Sequence, residues 1–115
     1  MTESPRVAYK VLTAEQMAAF TAAGVFHGAP VDRADGFIHL SSADQVTETV
    51  NKHFSGQTEL VIAAVDLDAL GAAVRWEPSR GGQLFPHIYG DLPQSAVIAQ
   101  APLVRTASGE VVLPA

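Results

Sequence analysis

Hydrophobic and polar positions change period several times along this chain, and each change marks an element. From Arg6 to Leu12 the apolar residues alternate through Val7, Tyr9 and Val11, the period of a half-buried strand. Thr13 follows with Gln16 three residues on, the capping-box spacing that satisfies free amides at a helix start. The predicted helix runs over Ala14 to Ala23, with Met17 and Phe20 on its core face and Gly24 as its left-handed end. Phe26 to Asp35 mixes Gly, Pro and polar residues and reads as a loop.

Gly36 to Ser41, GFIHLS, reads as a short strand with Ile38 and Leu40 on one face and Phe37, His39 and Ser41 on the other. Ser42 with Gln45 repeats the capping-box spacing and predicts a second helix over Ala43 to Phe54, closed by Gly56. Leu60 to Val65 is apolar on both faces, as a central strand covered on both sides should be. Asp66 to Gly71 reads as one helical turn. In the strand Val74 to Glu77, Val74 and Trp76 face one way and Arg75 and Glu77 the other. Pro78 is expected to end that ladder. Extended HIYG, His87 to Gly90, puts His87 and Tyr89 on one face. Ala96 to Arg105 and Glu110 to Leu113 read as a hairpin across Ala-Ser-Gly. Two helices among six or seven short strands, without repeat or linker, predict one α+β domain over residues 1–115.

Composition narrows this. At 48% hydrophobic and 17% charged residues the chain is not a disordered segment. The first residues carry a carboxylate and no apolar core, so no secretory leader is expected, and no apolar run is long enough to span a membrane. The absence of cysteine removes thiolate chemistry and fits a cytoplasmic setting. A net charge of −5 argues against a long nucleic acid as partner. The stretch Arg75 to Tyr89 runs against that balance, with two basic residues, one acid, and Trp76, His87 and Tyr89 among them. Such a patch suits a small anionic ligand.

No nucleophile elbow, P-loop, Gly-x-Gly-x-x-Gly or His-Glu-x-x-His occurs. His39, turned away from the core by its neighbours, is either a general base or ligand donor, or a histidine bonded to a loop carbonyl. His87 and Tyr89 either meet a planar ligand or plug the core. Arg75 and Arg80 are the anion-binding arginines, with Arg75 and Glu77 alternatively a solvated ion pair. His39, His87 and Glu77 together would make a facial metal triad, a minor reading without a spacing signature. Trp76 reads as core, His53 as a structural cation at a helix end. His27 has no assigned role.

The strings DGFIHLSSADQV, VDLDAL, RWEPSRGG and LFPHIYGDLP closely resemble the domain of unknown function 952 family of small bacterial and plant proteins, over nearly the whole chain. That family in turn is similar to a compact ADP-ribosyltransferase fold, and the order IHLSSADQV then VDLDAL resembles NAD-dependent RNA 2′-phosphotransferases. The resemblance implies an ADP-ribosylation-like sheet with His39 and Ser41 on a cleft-lining strand, facing Tyr89, His87 and the Arg75–Glu77 strand.

Together these readings give an NAD-like or ADP-ribose-like nucleotide site, of a binder or a transferase. His39, Glu77 and His87 would be catalytic, and Ser41, Arg75, Arg80 and Tyr89 would hold the nucleotide. A non-catalytic module for a small molecule or partner protein is the alternative, and metal-assisted hydrolysis through His39 and His87 the minor one.

Overall fold

The structure, a computed structural model, describes residues 5–114 apart from the side chain of Arg80. The first strand, β1, covers Val7–Thr13 and leads directly into helix α1, Ala14–Ala23. The capping box forms as expected: Gln16 N donates to Thr13 Oγ1 and Thr13 N to Gln16 Oε1, each at 3.0 Å. Gly24 ends the helix at φ 78°, a backbone conformation that a β-carbon would strain.

Beyond the short strand β2, Val25–Phe26, the expected loop is instead partly helical. Helix α2 spans Pro30–Asp35. Proline at the first helical position lacks the N–H that would have no partner there, so Pro30 starts this helix where the loop reading took it as a breaker. Asp32 then reaches back to accept from Ala29 N at 2.7 Å, and Gly36 closes the turn at φ 88°. Strand β3, Ile38–His39, follows.

Helix α3, Val46–His53, is shorter than expected. Only half of its capping box is made: Ser42 N donates to Gln45 Oε1 at 3.0 Å, but Gln45 N donates to Ser42 O at 3.0 Å and not to the Ser42 hydroxyl, and the Gln45 side-chain amide donates to Leu84 O at 2.8 Å. Residues 43–45 are therefore a turn tied to a distant strand. Strand β4, Leu60–Asp66, runs into the one-turn helix α4, Leu67–Leu70, capped by the Asp66 carboxylate on Asp68 N. The described residues thus hold four α-helices: the two expected, α4 where one helical turn was expected, and α2 where a loop was. Strands β5, Val74–Pro78, β6, Leu84–Ile88, β7, Leu92–Pro93, and β8, Val97–Pro102, complete the chain.

All strand pairs are antiparallel. One sheet has the order β1-β4-β8, a second β3-β6-β5, and β2 pairs with β7. A bridge between Tyr9 and Ser41 joins the edges of the two larger sheets, with Tyr9 N donating to Ser41 O at 2.8 Å and Ser41 N to Tyr9 O at 2.9 Å. The ladder of β5 runs one pair past Glu77, to Pro78 opposite Leu84. Proline is tolerated there because β5 is an edge strand. The expected terminal hairpin shrinks to a single bridge between Arg105 and Val111. Val111 N donates instead to Thr47 Oγ1 at 2.9 Å, which draws the return segment onto α3.

The period of two along β4 places its side chains in two cores. Ala63 and Val65 join Leu12, Phe20, Ile38 and Ile88 on one side; Leu60 and Ile62 meet Val46 and Val50 of α3 on the other. Burying a side chain such as Phe20 or Ile62 stabilises by about 1.5–3 kcal/mol each. Trp76 packs against the first core, as its side of β5 requires. With both sheets held by these cores, the seam between them at Tyr9 and Ser41 is a fixed wall.

Candidate functional site

A cavity of about 510 Å³ opens at that seam. Its wall is the face of β3 and β6 that alternation turns away from the core: His39, Ser41, Phe85 and His87 all line it. His39 lies directly opposite His87 in the ladder, and their rings meet edge to face with centroids 5.4 Å apart. The Phe37 ring stacks on His87 at 4.1 Å and tilts against His39 at 4.7 Å and Tyr89 at 5.3 Å, so it fixes the planes of three rings.

Each histidine is held through Nδ1 by a carboxylate. His39 Nδ1 lies 2.6 Å from Asp32 Oδ1, and His39 Nε2 lies 2.9 Å from Asp35 Oδ2. Both contacts are hydrogen bonds when both ring nitrogens carry protons. Asp32 itself is fully buried and bonded on every side. It also accepts from His39 N at 3.1 Å, from Ala29 N, and from the Lys10 ammonium at 3.1 and 2.9 Å. Burial alone would raise this carboxyl, but the bonds from His39 and Lys10 outweigh it and hold the group down at about 2. Burial pushes Lys10 below its ordinary range, against the pull of Asp32. Lys10 also donates to His39 O at 3.0 Å, so three oxygens surround its ammonium.

His87 is held differently. Its Nδ1 lies 2.8 Å from Glu77 Oε1, which also accepts from the Tyr89 hydroxyl at 2.8 Å. Those two bonds, the His87 one foremost, keep Glu77 below the usual carboxylate range, and the Tyr89 phenol is raised because it donates to a carboxylate. With Nδ1 directed at Glu77, the other nitrogen, Nε2, has no hydrogen-bond partner among the described residues, and His87 lines the cavity. The Arg75 guanidinium sits 4.9 Å above the Tyr89 ring.

Sequence comparison now adds to the geometry. The profile of the family described as "Protein of unknown function (DUF952)" matches residues 11–100. The chain belongs to the DUF952 family. This DUF952 domain is similar to the crystal structure of protein CC0527 from Caulobacter crescentus, with 46% identity and a TM-score of 0.85 over 93% of this chain and 94% of that one. A double mutant of CC0527 gives 44% identity and a TM-score of 0.84, with coverage of 93% and 94%. Its solution NMR structure gives 46% and 0.79, with coverage of 93% and 91%. None of the curated proteins matches this chain. These comparisons support the first family resemblance and leave the second, to ADP-ribosyltransferases, without support.

Of the residues singled out in the DUF952 sequence, His39, Ser41 and His87 line the cavity together. Glu77 and Tyr89 stand behind His87, where Glu77 orients the ring. Arg75 covers Tyr89, and the Arg80 side chain lies outside the described residues. Sequence reasoning missed Asp32, Lys10 and Asp35, all on the cavity. A signal for Asp32 existed, since an acid two residues after Pro30 and four before Gly36 fits the first turn of a short helix. His53 ends α3 as expected and also lines the cavity, while His27 pairs with exposed Asp91 at 2.8 Å. Among the described residues no three or more His, Asp or Glu are grouped to hold a metal, and Nδ1 of His39 and of His87 already faces a carboxylate. No helix among them is long and apolar enough to cross a membrane.

Proposed function

We propose that this cavity is a small-molecule site in which His87, oriented by Glu77, exchanges a proton with the bound molecule, and that the ligand is a small nucleotide of the NAD or ADP-ribose kind. The observation that carries this reading is the pairing of His87 Nδ1 with Glu77 at 2.8 Å on a residue that lines the cavity. A carboxylate on Nδ1 selects the tautomer whose Nε2 accepts a proton, and it stabilises the imidazolium that forms. A cavity of about 510 Å³ falls in the range of small-ligand pockets. His39, clamped by two carboxylates, holds the wall beside His87 in place, and Ser41 supplies a hydroxyl oxygen. The nucleotide class and the ADP-ribosyltransferase-like fold come from the sequence resemblance.

Binding without turnover is the second reading. Glu77 favours it, because the oxygen that would polarise a ligand hydroxyl already accepts from both His87 and Tyr89. Thermal shift with NAD, ADP-ribose and ATP separates the outcomes. A ligand at about a hundred times its dissociation constant adds ~2.7 kcal/mol of stability. We expect NAD or ADP-ribose to raise the melting temperature of the wild type, and His87→Gln to abolish that rise. No response to any of the three at millimolar concentration refutes the nucleotide reading. A response unchanged in His87→Gln moves the ligand away from this wall. Release of nicotinamide from NAD by the wild type and not by Glu77→Gln would distinguish turnover from binding.

A further inference from the structure

The hydrogen-bond inventory of the cavity wall specifies more than its shape. Among the described residues Lys10 is its one ammonium, and all three of its protons are taken by Asp32 Oδ1, Asp32 Oδ2 and His39 O. Both ring nitrogens of His39 face carboxylates. Thr49 Oγ1 lies 3.1 Å from Gln45 O and 2.8 Å from Ser41 Oγ; with its proton on the carbonyl, the usual bond of a helical threonine, Ser41 is the donor between the two hydroxyls. That commits the Ser41 proton and leaves the lone pairs of its oxygen. His87 with its Nδ1 proton on Glu77 likewise offers a lone pair at Nε2. Asp35 adds a carboxylate to the same wall. Of these described residues, Lys10 and His39 turn their donors inward, and Ser41 and His87 present acceptors to the cavity on the β3–β6 face.

An anion needs the reverse, uncommitted N–H and O–H groups converging on it. A ligand whose hydroxyls donate matches this wall. Ser41 and His87 lie on the same face of the two paired strands, on diagonal positions of the ladder, so neighbouring hydroxyls of one ring can reach both. Apolar Val11, Leu40, Phe54 and Phe85 line the same cavity and suit the carbon faces of such a ring.

Resting on the reading of this cavity as a small-molecule site, we infer that the group it seats is a hydroxyl-rich ring, a nucleoside's ribose or a free sugar, donating to His87 Nε2 and Ser41 Oγ. Phosphate, if the ligand carries one, stays outside this wall.

Calorimetric titration and thermal shift with adenosine, 2′,3′-dideoxyadenosine, D-ribose and inorganic pyrophosphate test it, alongside NAD and ADP-ribose. We expect adenosine to bind and the dideoxy compound to bind roughly tenfold more weakly or not at all, the loss of about one net hydrogen bond or more. Pyrophosphate should give no response. Binding of D-ribose alone points to a free sugar, and binding that also needs the base points to a nucleoside; either supports the inference. Ser41→Ala and His87→Gln should each weaken the hydroxylated ligand and leave the dideoxy compound unaffected, and the wild-type series stands even if one variant fails to fold. If NAD or ADP-ribose binds while pyrophosphate competes and the dideoxy compound equals adenosine, the inference falls and the nucleotide site stands. If D-ribose binds and neither NAD nor ADP-ribose does, the nucleotide reading falls and the inference stands. Silence from every probe overturns both.

Discussion

Two histidines face each other across one ladder, each with a carboxylate on Nδ1, yet the two pairs are built for different work. Asp32 is sealed from solvent and bonded to Lys10, to His39 and to the backbone at Ala29, so its partner His39 is held like a structural member. Glu77 sits on an edge strand with its side chain about one-third exposed, and among the described residues it accepts from two side chains, His87 and Tyr89. Replacing either carboxylate therefore asks a different question. The first probes whether the cavity wall stands, the second whether its chemistry works.

The largest effect is expected at Asp32. Asp32→Asn leaves the Lys10 ammonium buried without its counter-charge, and breaking such a pair costs about 3–5 kcal/mol. Urea unfolding measures it, and a loss below about 1 kcal/mol would mean that the buried network contributes little. Acid comes next. The Asp32 carboxyl is held at about 2 against an ordinary 3.8, so its contribution is present above the ordinary value. It is lost as pH falls through that interval, on the order of 2 kcal/mol in all. Unfolding followed from pH 5 to pH 2 should show this loss in the wild type and not in Asp32→Asn.

Smaller still is Asp35→Asn. Asp35 is about half exposed, and ion pairs of that kind are worth roughly 0–1 kcal/mol. A cost above that range would place Asp35 in the buried network with Asp32. The smallest change in stability is expected for Glu77→Gln, which should melt close to the wild type while losing most of its response to whichever nucleotide or nucleoside the wild type binds. A Glu77→Gln protein that binds as the wild type does would make Glu77 a surface residue and erase the contrast between the pairs.

Much of the frame was legible in the residues. Alternation located β1, a run apolar on both faces located β4, the Thr13–Gln16 box located α1 to its first residue, and alternation along GFIHLS turned His39 and Ser41 toward the cavity. The misses share a cause. Short elements are decided by contacts that spacing does not show: Gln45 N bonds to the Ser42 carbonyl and not to its hydroxyl, its side chain is drawn to Leu84 O, and Thr47 takes Val111 N and so thins the terminal hairpin. Helix α2 was hidden because a proline and two flanking glycines look like a loop unless the proline is read as a helix start. With α2 went Asp32, and with Asp32 the reason that Lys10 can be buried. The pairing of His87 with Glu77 was within reach, since the two lie on extended segments that follow one another in sequence, but it required the ladder register.

The ties that build the cavity wall have one further property. Lys10 to Asp32 spans 22 residues, Lys10 to His39 spans 29, and Gln45 to Leu84 spans 39. His39 meets His87 only after β6 has come back against β3. Contacts so distant in sequence form late, because each must first overcome the entropy of closing a long loop. The pocket lining runs from Tyr9 to His87, so a fragment that ends before β6 lacks part of its wall, and we expect the pocket to appear during refolding only after that span has closed.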